Sequence, residues 1–109
     1  MKSLSFDKSF NNSKLFFSKN ELSKILSCYA IGVSKGNLKD YSINFNKNEA
    51  IFFMYKHTSA SPDFILTKTK KVKKNKIFFK LQTSNSNNKI SNHIDDLLII
   101  IKRNQFKIF

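Results

Sequence analysis

Cysteine, glycine and arginine are nearly missing from these 109 residues: there is one cysteine (Cys28), one arginine (Arg103), and glycine only at Gly32 and Gly36. Each shortage excludes something. A lone thiol forms no intrachain disulfide, so no covalent framework calls for an oxidising compartment. Two isolated glycines cannot build a glycine-rich phosphate cradle. Long apolar runs are missing as well. None exceeds the six residues of Ala50 to Tyr55, and Leu97 to Ile101 is five, against the roughly 20 that span a bilayer. The N-terminal stretch MKSLSFDKSFNNSKLFF has no continuous apolar segment of signal-peptide length, no small-residue cleavage site and no transit-peptide arginines. The expectation is a soluble, cytoplasmic protein with no membrane partner.

Catalytic groups are equally scarce. His57 and His93 are the only imidazoles. Cys28 falls in mid-helix beside an apolar stripe, where a small buried hydrophobe fits better than a nucleophile that needs a helix N-terminus to lower its pKa. His93 and Asp96 are three apart and share a helix face, but two ligands do not make a metal site. Asp40 and Asp63 flank strands, with no paired carboxylate nearby in sequence. The chain is therefore expected to be no enzyme and to need no cofactor or metal.

Lysine, in contrast, is abundant. Net charge is +13, and lysine outnumbers arginine 19 to 1. Such basicity resembles a nucleic-acid footprint. Yet Lys, Asn, Ile and Phe together supply 56 residues, and all four have A/T-rich codons, so coding bias offers a second explanation. Apolar residues at 40% suit one globular domain.

Residues 1–14, rich in Ser, Asn and Lys, read as a flexible tail whose Phe6 and Phe10 can dock on a domain spanning 15–109. Ser18 and Glu21 form a capping box, and Phe17 with Leu22 a hydrophobic staple. Leu22, Ile25, Leu26, Tyr29 and Val33 then recur at helical spacing until Gly36, which predicts a helix over 19–35. Alternation at Tyr41, Ile43 and Phe45 predicts a strand, and Asn46 to Glu49 a turn. AIFFMYK (50–56) reads as a second strand, apolar on both faces. Either Phe53 with Tyr55 or Phe52 with Met54 then needs cover beyond the helices, from the tail or from a second subunit. Residues 64–70 and 77–82 read as strands three and four, and 83–89 as a polar linker. A last helix is expected from Ser91 or Asn92, burying Ile94, Leu97, Leu98 and Ile101, although LLIII is β-prone. Asp95 and Asp96 lie in its first turn, and Lys102 and Arg103 in its last, as the helix dipole prefers. FKIF adds a short terminal strand. The order α-β-β-β-β-α predicts an α+β fold, a four-stranded antiparallel sheet with an N-terminal and a C-terminal helix on one face.

KTKKVKKNK, residues 68–76, sits across the connection of the third and fourth strands. Its lysines, Lys68, Lys70, Lys71, Lys73, Lys74 and Lys76, form the candidate polyanion-binding set, with RNA, DNA or a ribonucleoprotein as partner. Lys56 and Lys80 could extend the patch. The competing reading is a solvated hairpin tip that blocks edge-to-edge pairing. No aromatic is interleaved within the nonamer, which argues against stacking of single strands. The element order invites comparison with the double-stranded-RNA-binding domain, α-β-β-β-α. That module leads its second helix with lysines, where this chain has Asp95 and Asp96, which repel phosphate. The alternative function is a protein-interaction or structural subunit, a homodimer through the sheet among its forms.

The segment FSKNELSKILSCYAIGVSKGNLKDYSINF, residues 17–45, resembles a small alphaproteobacterial family known only as a domain of unknown function. The shared positions are Phe17, Glu21, Leu22, Ile25, Leu26, Tyr29, Val33, Gly36, Asp40, Tyr41, Ile43 and Phe45. A looser likeness runs through AIFFMYKH and Pro62 to His93. Ala30 and Leu38-Lys39 stand where that family has Gly and Trp-Arg. The resemblance implies a shared fold and a bacterial cytoplasmic setting, and no reaction.

Overall fold

The computed structural model describes residues 14–58, 61–71, 73–84 and 88–106. Along them the chain forms α1 (Lys19–Ser34), β1 (Asp40–Phe45), β2 (Glu49–Tyr55), β3 (Phe64–Lys71), β4 (Lys76–Thr83), β5 (Asn88–Ser91) and α2 (Ile94–Phe106). The tail with Phe6 and Phe10 lies outside the described residues, as does the strand expected for FKIF beyond Phe106.

Both ends of α1 are set by local chemistry. The Glu21 amide donates to Ser18 Oγ at 3.0 Å and the Ser18 amide to Glu21 Oε1 at 2.8 Å, so the capping box is closed in both directions. At the other end Gly36, at φ 77°, donates to the Val33 carbonyl and Asn37 to the Gly32 carbonyl, a Schellman closure that satisfies two orphan carbonyls. The helix ends at Ser34, with Lys35 as its cap. Ile25, Cys28 and Gly32 form the buried stripe. Val33, expected on that face, is 46% exposed. It follows Gly32 by one residue, a rotation of about 100° out of the stripe.

The sheet has five strands in the order β1-β2-β3-β4-β5, every neighbour antiparallel. This corrects the four-stranded expectation. β5 begins inside the stretch read as a linker, 83–89, and runs on to Ser91, pairing with β4 from Gln82↔Asn88 to Phe79↔Ser91. Its only apolar side chain, Ile90, is 67% exposed, so no alternating burial announces the strand. Backbone pairing to β4 and the Ser91 hydroxyl hold it.

The pleat divides the sheet into two faces. Ala50, Phe52, Met54, Leu66 and Leu81 turn towards the helices and are fully buried. On the opposite face Ile51, Phe53 and Tyr55 are half-buried, and no helix covers them among the described residues. It is thus the Phe52 and Met54 row that the helices cover.

The LLIII run is helical. Leu97, Leu98 and Ile101 are each at most 3% exposed, and burial at helical spacing outweighs the β propensity of the individual residues. Ser91 Oγ accepts from the His93 amide and donates to the Asp96 carboxylate, fixing the start of α2. Lys24 meets Asp95 at 3.1 Å, and the Cys28 thiol donates to the Leu98 carbonyl at 3.9 Å. Positions along the two helices therefore advance together, so α1 and α2 run parallel. Leu15 donates to the Asn46 carbonyl in the β1–β2 turn, and Lys70 to the Asn48 carbonyl. The start of α1, that turn and the β3–β4 hairpin therefore share one end of the sheet.

Candidate polyanion-binding hairpin

Ladder pairing between β3 and β4 continues to Lys71↔Lys76, and Lys73, Lys74 and Asn75 are the described residues of the tip. Asn75 takes φ 50°, the left-handed conformation that an Asn tolerates at the end of a tight connection. Lys70, Lys71, Lys73, Lys74 and Lys76 are all exposed. Among the described residues none of them forms an ion pair; the carboxylates that do pair are those of Glu21 and Asp95. The end of the hairpin thus holds five unneutralised cations within a few residues of one another.

Lys68 does not belong with them. It lies on the helix-facing side of β3, opposite Phe79, and is 6% exposed. Its Nζ donates to Glu21 Oε1 at 2.8 Å and to the Phe16 carbonyl at 2.9 Å. The same Glu21 oxygen accepts the Ser18 amide, so this lysine fastens the cap of α1 to the middle of the sheet. Lys70 points to the same side but lies further along, opposite Ile77, which is itself 42% exposed.

Lys71 and Lys76 project on the face without helices. There Lys71 Nζ stands 5.5 Å from the centre of the Phe78 ring, within cation–π range. Lys71, Lys74, Lys76, Phe78, Ile90 and Asn92 line a shallow depression of about 310 Å³. Sequence reasoning missed Phe78 and Ile90 because it looked for aromatics inside the nonamer. The signal was nonetheless present. Phe78 follows Lys76 by two, hence shares its face, and hairpin pairing sets it diagonal to Lys71.

The other candidates are dispersed. His57 is exposed in the β2–β3 connection and His93 at the start of α2. Burial pushes the Cys28 thiol up to about 11, only partly offset by Lys102, which leaves it protonated and inert at neutral pH. Desolvation, then Asp40 and Tyr41, raise the Tyr29 phenol. The Asp40 carboxylate accepts its neighbour's amide at Tyr41, and Asp63 accepts the Lys56 amide at 2.7 Å, both ordering strand ends. Among the described residues no three His, Cys, Asp or Glu side chains gather where they could hold a metal ion.

These features define a small α+β domain: two parallel helices on one face of an antiparallel sheet, and a lysine-rich hairpin at the end where both helices begin. The chain belongs to the family described as Protein of unknown function (DUF2794), which it matches over residues 15–97. No curated protein and no solved structure gives a significant match. Among the described residues no helix is long and apolar enough to cross a membrane.

Proposed function

We propose that this domain is a non-enzymatic binding module of the bacterial cytoplasm that contacts nucleic acid, free or in a ribonucleoprotein, through its lysine hairpin. The observation that carries this reading is the cluster of Lys70, Lys71, Lys73, Lys74 and Lys76, exposed together without a carboxylate partner among the described residues. A solvated tip needs a charge or two to deter edge pairing. Five at one end set up a local positive potential that condensed phosphates relieve by releasing counterions. Of the acids at this end, Glu21 is engaged by Lys68, Asp95 by Lys24 and Asp96 by the Ser91 hydroxyl, while Glu49, opposite Thr69, accepts from the Asn46 side chain at 3.5 Å.

Fluorescence anisotropy with short RNA and DNA, single-stranded and duplex, over a range of salt tests the reading. The expected slope of log K against log salt is roughly −3 to −5 when all five lysines engage phosphates. Changing Lys70, Lys71, Lys73 and Lys74 together to Gln should remove about 3 units of it. Equal behaviour of variant and wild type assigns the hairpin to solvation only. A second reading, a protein-interaction subunit or homodimer joined through the sheet, is favoured by the half-buried Ile51, Phe53 and Tyr55 row and by exposed Ile90. It predicts a defined oligomer insensitive to salt.

A further inference from the structure

The face of β3, β4 and β5 that carries no helix is chemically one-sided. By strand alternation it carries Ile65, Thr67, Thr69 and Lys71 from β3, with Thr67 buried, Lys76, Phe78, Lys80 and Gln82 from β4, and Asn88 with Ile90 from β5. No acid stands among these positions. Asp40 and Glu49, the carboxylates that alternation places on this face, belong to β1 and β2. The strip is therefore cationic and partly apolar, and it continues without interruption from the base of the lysine hairpin.

Its shape matters as much as its charge. A duplex offers phosphates on a rigid, convex surface and keeps its bases stacked within. An unpaired strand offers phosphates along one side and flat apolar bases along the other. Phe78 is the aromatic of this strip, held at a depression of about 310 Å³ with exposed Ile90 beside it and Lys71, Lys74 and Lys76 around it. The six steps from Lys76 to Gln82 cover about 20 Å at strand rise, which suits a short single-stranded site of about four nucleotides. A second depression of about 370 Å³, lined by Ile65, Gln82, Thr83 and Asn88 among others, lies at the far end of the strip. It offers amide and hydroxyl groups to base edges or sugars.

We infer that this strip takes single-stranded nucleic acid, one base stacking on Phe78 while Lys71, Lys76 and Lys80 hold the flanking phosphates. The inference rests on the nucleic-acid reading of the hairpin and specifies its ligand: the hairpin lysines supply attraction, and Phe78 supplies the preference for unpaired strands.

The test compares a labelled dodecamer of deoxythymidine and a twelve-base-pair duplex, each titrated with wild type, Phe78→Leu and the four-lysine Gln variant. Phe78→Leu keeps an apolar strand residue but no ring. It should weaken dodecamer binding by about 5- to 160-fold, the range for one stacked base, and leave duplex binding and thermal midpoint unchanged. A Phe78→Trp variant gives a direct readout, because the chain has no other tryptophan. Its emission should fall as the dodecamer saturates the protein and hold steady with heparin, which has no bases. If the lysine variant loses binding while Phe78→Leu binds the dodecamer as tightly as wild type, the stacking inference is overturned and the hairpin reading survives. Tighter binding of duplex than of dodecamer overturns it too. If neither nucleic acid binds wild type, both readings fall.

Discussion

Replacing Lys68 by Met should destabilise the domain by about 2–3 kcal/mol, whereas the same change at Lys70, two residues on, should cost less than about 0.5 kcal/mol. Met preserves most of the aliphatic stem, so packing is nearly conserved and the ammonium alone is removed. Two bonds go with it, one to Glu21 Oε1 and one to the Phe16 carbonyl. Bonds to charged groups contribute roughly 1.5–3 kcal/mol each, and a neutral one about 1. The Glu21 side chain is 20% exposed and still accepts the Ser18 amide, so water relieves part of the loss. The total therefore falls below the roughly 3–5 kcal/mol of a fully buried broken pair. Glu21→Gln should be the more severe change. It keeps the oxygen that both the Ser18 amide and Lys68 use, but removes the charge that balances an ammonium whose side chain is 8% exposed. The double variant Lys68→Met/Glu21→Gln should then recover at least about 1 kcal/mol against the sum of the singles. Urea unfolding followed by circular dichroism measures all four. In heating experiments the Lys68→Met loss corresponds to roughly 10–20 °C for a domain of this size. If Lys68→Met and Lys70→Met unfold within 0.5 kcal/mol of each other, the inference from burial to stabilisation is refuted.

Other consequences are open to direct measurement. Because Cys28 is held protonated up to about 11 when folded but titrates near 9.0 when exposed, the unfolded chain binds fewer protons between those values, and stability falls as pH rises through that window. Cys28→Ala should lack that component, so wild type should lose up to about 2–3 kcal/mol relative to it between pH 9 and 11 in paired unfolding curves. Parallel loss in both proteins assigns the decline to other groups. Gly36→Ala meets no atom within 4 Å of its new Cβ, so its cost should be the left-handed backbone term alone, about 1–2 kcal/mol in urea unfolding. A larger loss means the turn carries more than its conformation.

Much of the fold was legible because its signals are local. Ser18, Glu21 and Gly36 mark both ends of α1, since a cap is a matter of three or four neighbouring residues. Asn46 marked the β1–β2 turn for the same reason: its side chain accepts the Asn48 and Glu49 amides. β5 was illegible because a four-residue edge strand with one exposed apolar side chain has no periodicity to read. Lys68 was misgrouped because a lysine in a lysine-rich run carries no mark of its direction. Only pairing with β4 shows that it faces Phe79 and the helices, while Lys71 faces away. The ring at the site was hidden by the opposite error. Phe78 lies outside the charged run in sequence and beside it in space, and only the hairpin register joins them.

The parallel course of α1 and α2 has a consequence for how the whole molecule approaches another body. Antiparallel helices cancel each other's dipoles; these two add, placing about half a unit of positive charge apiece at the end where the hairpin stands. The acids there are balanced by Lys68 and Lys24, as far as Glu21 and Asp95 are concerned. The end that carries the hairpin is consequently the strongly positive one, on a domain 50 Å in its longest dimension. In the field of any extended anion such a body experiences a torque as well as an attraction, and rotates until that end leads. Orientation during diffusion is thus built into the topology, before a single side chain has made contact.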